Sequence, residues 1–174
     1  MPTAVRSLKA RALQWLAQRE QSRVELRRKL LRQARADLAS DEHEERLANV
    51  AEQVDAVLDW LEANGYLSAE RFVESRVHAR AARYGNLRIR QELQQHQLGL
   101  SGELAQTLGA SEIARAQTVR TRRFAELPRD ATERARQARF LIGRGFSPDA
   151  VRVALRGARA DSDEDDPGIT TTGG

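Results

Sequence analysis

The sequence predicts an all-α fold, an elongated tandem array of three three-helix repeats. Three observations carry that prediction. Apolar residues recur at spacings of three and four, as Val57, Leu58, Trp60 and Leu61 do, which makes one apolar helical face. No segment sustains the two-residue alternation and β-branched enrichment that a strand needs. A helix stop followed by a helix start, Gly65-Tyr66-Leu67-Ser68, recurs in weaker form as Gly99-Leu100-Ser101 and Gly145-Phe146-Ser147-Pro148. Gly65 suits the left-handed position just past a helix end. Tyr66 and Leu67 then fold back on the last turn, and Ser68 accepts from a free N–H of the next helix. With 5% aromatic and 31% charged residues, a row of small helix clusters fits the composition better than one large core.

Taken in order, the elements follow from the apolar spacing and the caps. Residues 1–6 are a frayed start. Leu8, Leu13, Trp15 and Leu16 give a first helix over Ser7–Arg19. Ser22 opens a second, where Glu25 completes a capping box. Its buried face is Leu26, Leu30 and Leu31, and its remainder is basic. The acidic, apolar-poor stretch near 37–45 reads as a loop inserted in the first repeat. A third helix, from about Arg46 to Asn64, leads into the Gly65 joint. Helices then run from Ser68 to about Tyr84 and from Leu87 to Leu98, with Gly85-Asn86 between them. A short helix over Ser101–Leu108 ends at Gly109, and Ser111 caps the next, which reaches Phe124. Leu127-Pro128 is a break, Asp130–Arg144 is a further helix, and Pro148 opens the last, where its missing N–H is not needed. The repeats are thus expected at 7–67, 68–110 and 111–160. The acidic tail, 161–174, has the composition of disorder.

Charge is arranged in blocks. Residues 1–36 carry a net +8, residues 37–74 a net −9 and residues 75–160 a net +10, and the tail holds five acids. Such blocks suit a protein that binds a polyanion, with acidic segments that restrain it. Arginine supplies 27 of the 29 basic residues, and its forked donors match phosphate and carboxylate. The absence of cysteine rules out a disulfide framework and a thiol site. No apolar run reaches membrane-spanning length and the start lacks the apolar core of a signal peptide, so a cytoplasmic protein is expected.

Several motifs, in this order and spacing, resemble one family. They are Ser22-Arg-Val-Glu25-Leu26-Arg-Arg-Lys29-Leu30, Gly65-Tyr66-Leu67 with Arg71-Phe72, and Gly85 with Arg88-Ile89-Arg90-Gln91-Glu92-Leu93. Arg139-Phe140-Leu141 with Arg144-Gly145-Phe146 follows. Over roughly residues 8–157 the chain resembles the RecX family, bacterial regulators of the RecA recombinase. The resemblance implies an elongated array of three helical repeats that binds RecA–DNA filaments. It implies inhibition of RecA's ATPase, strand exchange and co-protease activities, and so regulation of recombination, DNA repair and the SOS response. It also implies weaker binding to single- and double-stranded DNA, with no cofactor, and a monomer is expected. Ser68-Ala69 stands where the family usually has acidic residues, and the insertion at 37–45 is long for it. A general DNA-binding helical protein without a recombinase partner is the alternative.

The candidate DNA- or RecA-binding residues are arginines. Arg76, Arg80 and Arg83 share a stripe within the same half-turn as Phe72, Val73 and Val77. They line a concave surface, or their stems lie over the core with their heads in water. Arg88 and Arg90 extend that patch at a helix start, which suits anions. Aligning Leu26 and Leu30 with Ile89 and Leu93 sets Arg27 opposite Arg90, and Arg27, Arg28 and Arg32 offer a comparable face in the first repeat. Arg120, Arg122 and Arg123, then Arg134, Arg136 and Arg139, do so in the third. Trp15, Trp60, Tyr66, Phe72 and Phe146 are expected in the core, and Tyr84 is the candidate for an exposed ring. His43, His78 and His96 lack ligand spacing and read as surface residues. The Asp41–Glu45 run reads as a solvated acidic loop rather than a metal site. No phosphate-binding glycine motif is present, so a non-enzyme is expected.

Overall fold

A computed structural model describes residues 7–37 and 44–156. Among these, every regular element is an α-helix. The order is α1 (Leu8–Leu16), α2 (Arg23–Asp37), α3 (Glu44–Ala63), α4 (Ala69–Ala81), α5 (Asn86–Gln95), α6 (Gly102–Arg123), α7 (Ala131–Gly143) and α8 (Pro148–Arg156). The frayed start, the centre of the acidic insertion and the acidic tail lie outside the described residues.

Two compact units interleave along the chain. The first takes residues up to Ala79 together with Arg90–Leu100, and the second takes Arg80–Ile89 together with the chain from Ser101 onward. In the first unit, α1, α2 and α3 bury Ala12, Leu26, Leu30, Val54, Leu58 and Leu61, and Leu67 closes over them from the joint. The second unit is built on α6, α7 and α8 around Ala116, Val119, Leu141, Phe146, Ala150, Val151, Ala154 and Leu155. Apolar burial of this kind contributes roughly 25 cal/mol per Å² removed from water.

One turn geometry ends three helices. At the first joint Gly65 has φ +70°. Its N–H donates to the Glu62 carbonyl at 3.0 Å, and the N–H of Tyr66 donates to that of Leu61 at 2.9 Å. At the third, Gly145 has φ +80°, its N–H donates to Ile142, and the N–H of Phe146 donates to Leu141. The middle turn departs from expectation. Gly99 is not at positive φ; Gln97 is, at +60°. The N–H of Gln97 donates to Gln94 at 2.9 Å, and that of Leu98 to Leu93 at 3.1 Å. Leu61, Leu93 and Leu141, four residues before each turn residue, are all fully buried. A buried leucine fixes the last turn, and the residue that then reverses the chain must take left-handed backbone.

Other boundaries also shift. The two helices expected over 101–124 are one, because α6 runs through Gly109 and Ser111 without a break. A helical glycine costs only about 1 kcal/mol, which the buried flanks Leu108 and Glu112 outweigh. Ser111 is no cap: its hydroxyl donates to the Thr107 carbonyl at 3.0 Å. The capping box at Ser22 is half made, since Ser22 Oγ accepts from the N–H of Glu25 at 3.1 Å. The Glu25 carboxylate instead takes Arg19, by two bonds, and Lys29. Tyr66 is 49% exposed rather than buried, and its ring stacks on half-buried Trp60 at 5.5 Å.

Candidate functional site

Helix α2 divides its arginines between two jobs. Those facing α3 are spent on its acids. Arg27 forks onto Asp55 with bonds of 2.7 and 2.9 Å, and Arg23 reaches Asp59 at 2.7 Å and Glu62 at 2.6 Å. The bond from Arg27 holds the Asp55 carboxyl below its ordinary range. Arg28, Arg32 and Arg35 follow at spacings of four and three, are exposed, and have no carboxylate partner among the described residues. With Arg23, Arg27, Val24, Leu31 and Gln97 they line an open concavity of about 760 Å³. Val24 and Leu31 give it an apolar floor under a basic wall. This is the arrangement that suits an anion with a flat or apolar body. Of the sequence-predicted residues, Arg27, Arg28 and Arg32 are brought together here, and Arg35 joins them.

The stripe expected on α4 divides between the two units. Arg76 belongs to the first and Arg80 to the second, and Arg83, also in the second, lies past the end of α4, which stops at Ala81 rather than near Tyr84. Arg76 sits on the buried side, as its spacing implied, with its guanidinium 5.2 Å from the Phe72 ring and 3.3 Å from the Glu92 carboxylate. Arg90, exposed, belongs to the first unit and Arg88, also exposed, to the second. In the second unit, Tyr84 is half-buried rather than an open ring. The Arg80 and Arg144 guanidiniums lie 5.6 and 5.5 Å from its centre. Each contact sets a cation against the negative face of the ring, and Arg144 also donates to the Arg83 carbonyl at 3.5 Å.

The third-repeat set is not uniform. Arg122, Arg123, Arg134, Arg136 and Arg139 are exposed. Arg120 is buried, with one amino group donating to the Glu126 carbonyl at 3.0 Å, so it ties the end of α6 to the following loop.

Sequence reasoning missed two positions because helical charges usually face water. Glu112 is buried on α6 and accepts from the N–H of Asn86 at 2.8 Å and the Ser147 hydroxyl at 2.8 Å. Arg115, one turn on, donates to the carbonyls of Ala81, Tyr84 and Leu108 and to Asn86 Oδ1. Burial pushes its guanidinium down from the ordinary value, and Glu112 opposes that. Gly85 completes the same seam. Its N–H donates to the Arg144 carbonyl at 3.0 Å, and a Cβ there would lie 2.2 Å from the Gly145 carbonyl oxygen. The network sets the bend that carries Tyr84 and Arg88.

His96 is not a plain surface residue. Its Nδ1 lies 2.7 Å from Ser22 Oγ and its ring centre 4.8 Å from that of Phe72. Burial, with Arg76, keeps its pKa below the ordinary value. Among the described residues no cluster of three His, Cys, Asp or Glu could hold a metal ion, and no helix is long and apolar enough to cross a membrane. The acidic run from Asp41 lies largely outside the described residues.

Comparison with known proteins gives one answer. Residues 70–107 match the family model of the second three-helix domain of RecX, and residues 110–155 match that of the third. The regulatory protein RecX of Ralstonia nicotianae is 46% identical over 168 residues, covering 95% of this chain and 97% of that protein. That of Herbaspirillum seropedicae is 47% identical over 171 residues, covering 96% and 99%. The more distant RecX of Chromobacterium violaceum is 35% identical over 156 residues, covering 90% and 93%. Two tandem three-helix domains and identity along nearly the whole chain place this protein in the RecX family of regulatory proteins.

Proposed function

We propose that this protein binds RecA–DNA filaments and inhibits RecA's ATPase, strand exchange and co-protease activities. It does so in the cytoplasm, without turnover of its own. Membership of the family supports this reading. The observation that carries it further is the basic wall of α2, where Arg28, Arg32 and Arg35 face solvent without carboxylate partners among the described residues. Three such guanidiniums along about 10 Å of helix can follow a phosphate backbone, as the positioning contacts of nucleic-acid binders do. The repeats are assigned to 7–67, 68–110 and 111–160, with the second and third meeting inside α6.

The test is a titration of RecA's DNA-dependent ATPase. Wild type is expected to lower the rate at near-stoichiometric protein, and Arg28→Glu/Arg32→Glu/Arg35→Glu is expected to need at least tenfold more, taking roughly 1.4 kcal/mol as one decade. Equal inhibition by both would remove α2 from the interface, and no inhibition by wild type would overturn the function. The alternative, DNA binding without a recombinase partner, predicts that any effect on RecA disappears at the salt concentration where DNA binding is lost.

A further inference from the structure

The three like turns differ at one position, and the difference falls at the arginine-lined concavity. Two of them place glycine at positive φ, and the middle one places Gln97 there, the one non-glycine residue at positive φ among the described residues. A residue with a Cβ is strained in that geometry, and glycine would fill the turn without strain, as Gly65 and Gly145 do. Strained backbone persists where the side chain or its surroundings are needed. The surroundings here do not demand glutamine. The hydrogen bonds of the turn are backbone bonds, from Gln97 to Gln94 and from Leu98 to Leu93, and glycine would make both. Gln97 is exposed, and it lines the concavity beside Arg23, Arg28 and Arg32.

We infer that Gln97 is a base-contacting residue of the α2 concavity, where an unstacked base of single-stranded DNA rests on Val24 and Leu31. Its phosphates lie on Arg28, Arg32 and Arg35, and the Gln97 carboxamide pairs with the base edge. This rests on the reading of α2 as a DNA-binding face. The apolar floor favours a single strand, since a duplex keeps its base faces stacked inside. Among the residues lining the concavity, Gln97 is the neutral one that carries both a donor and an acceptor. A carboxamide makes a matched pair of bonds with the N6 and N7 edge of adenine, so adenine is the base best served.

The experiment compares wild type, Gln97→Gly and the triple variant Arg28→Glu/Arg32→Glu/Arg35→Glu by fluorescence anisotropy. The probes are labelled oligodeoxyadenylate and an abasic strand of the same length. Wild type is expected to prefer the base-bearing strand. Gln97→Gly is expected to raise Tm by about 3 °C through relief of strain, yet to lose about tenfold in affinity for oligodeoxyadenylate and the preference with it. A gain in Tm with affinity and preference intact would overturn the inference, leaving a strained turn and nothing more. No gain in Tm would remove the strain on which it stands and overturn it as well. Unchanged DNA affinity with weakened RecA binding would assign the concavity to a protein surface instead. Wild-type affinity in the triple variant would overturn the DNA reading of α2 itself, a failure separable from that of Gln97.

Discussion

Replacing Arg115 with methionine removes the guanidinium and keeps much of the stem. Five acceptors then lose a donor: the carbonyls of Ala81, Tyr84 and Leu108, at 3.2, 2.8 and 3.0 Å, Asn86 Oδ1, and the Ser111 hydroxyl at 3.2 Å. Bonds to a charged donor are worth about 1.5–3 kcal/mol each, but five that share one group do not add. Two facts reduce the sum. Methionine escapes the burial that already disfavours the charged form of Arg115. The Leu108 carbonyl also keeps bonds from Asn86 Nδ2 at 3.2 Å and the Ser111 hydroxyl at 3.3 Å. One fact increases it, because Glu112 stays buried without its nearby cation. The net expectation is a loss of about 3 kcal/mol, which for a chain of this size lowers Tm by roughly 6–12 °C. Urea unfolding followed by circular dichroism reads it as a shift in midpoint at unchanged slope. Arg115→Lys keeps the charge, but one ammonium cannot span five acceptors, so it should recover less than half. A loss below about 1 kcal/mol for the methionine variant, within the range of an ordinary surface change, would refute the view that Arg115 holds this bend.

Two further outcomes follow from single contacts. Gly85→Ala would drive a Cβ into the backbone of Gly145 and Phe146 at 2.2 Å. Neither can yield as a flexible side chain would, so a loss of at least about 2 kcal/mol is expected by thermal unfolding, whereas Gly102→Ala, with open space around it, should be no less stable than wild type. His96 titrates below its ordinary value through burial and Arg76, against Glu25 and Glu92 and with Arg28 adding to the lowering. The unfolded chain therefore binds the proton first. The stabilising contribution is complete above about pH 6.5 and is lost as pH falls from there through the folded value. Unfolding midpoints measured across that window should decline for wild type and stay flatter for His96→Gln; parallel curves would show that His96 does not carry the dependence.

Much of the fold was legible because helices are local. Leu26 and Leu30, or Val54, Leu58 and Leu61, repeat at intervals that need no knowledge of a partner, and Gly65 announces its own geometry. The misreadings share a cause. Gly109 and Gly99 were given the conformational meaning of glycine, but glycine permits left-handed backbone without requiring it. Gln97 took that geometry because the turn after buried Leu93 demanded it of whatever residue stood there. The site was less legible, since pairing is decided across the fold. Nothing near Arg76 in sequence points to Glu92 on another helix, and Arg27 and Arg28 are neighbours, yet one is spent on Asp55 and the other is not. Glu112 and Arg115 look like any solvated pair on a helix until the bend at Asn86 closes over them.

The seam at Gly85 has a consequence for the order in which the chain can mature. Residues 80–89 belong with partners that follow about sixty residues later, at Arg144 and Gly145, while Arg90–Leu100 belong with helices already made. As synthesis proceeds from the N-terminus, the first unit has all its residues once Leu100 has emerged. The segment around Gly85 must then wait, its N–H groups open, until α6 and α7 are complete.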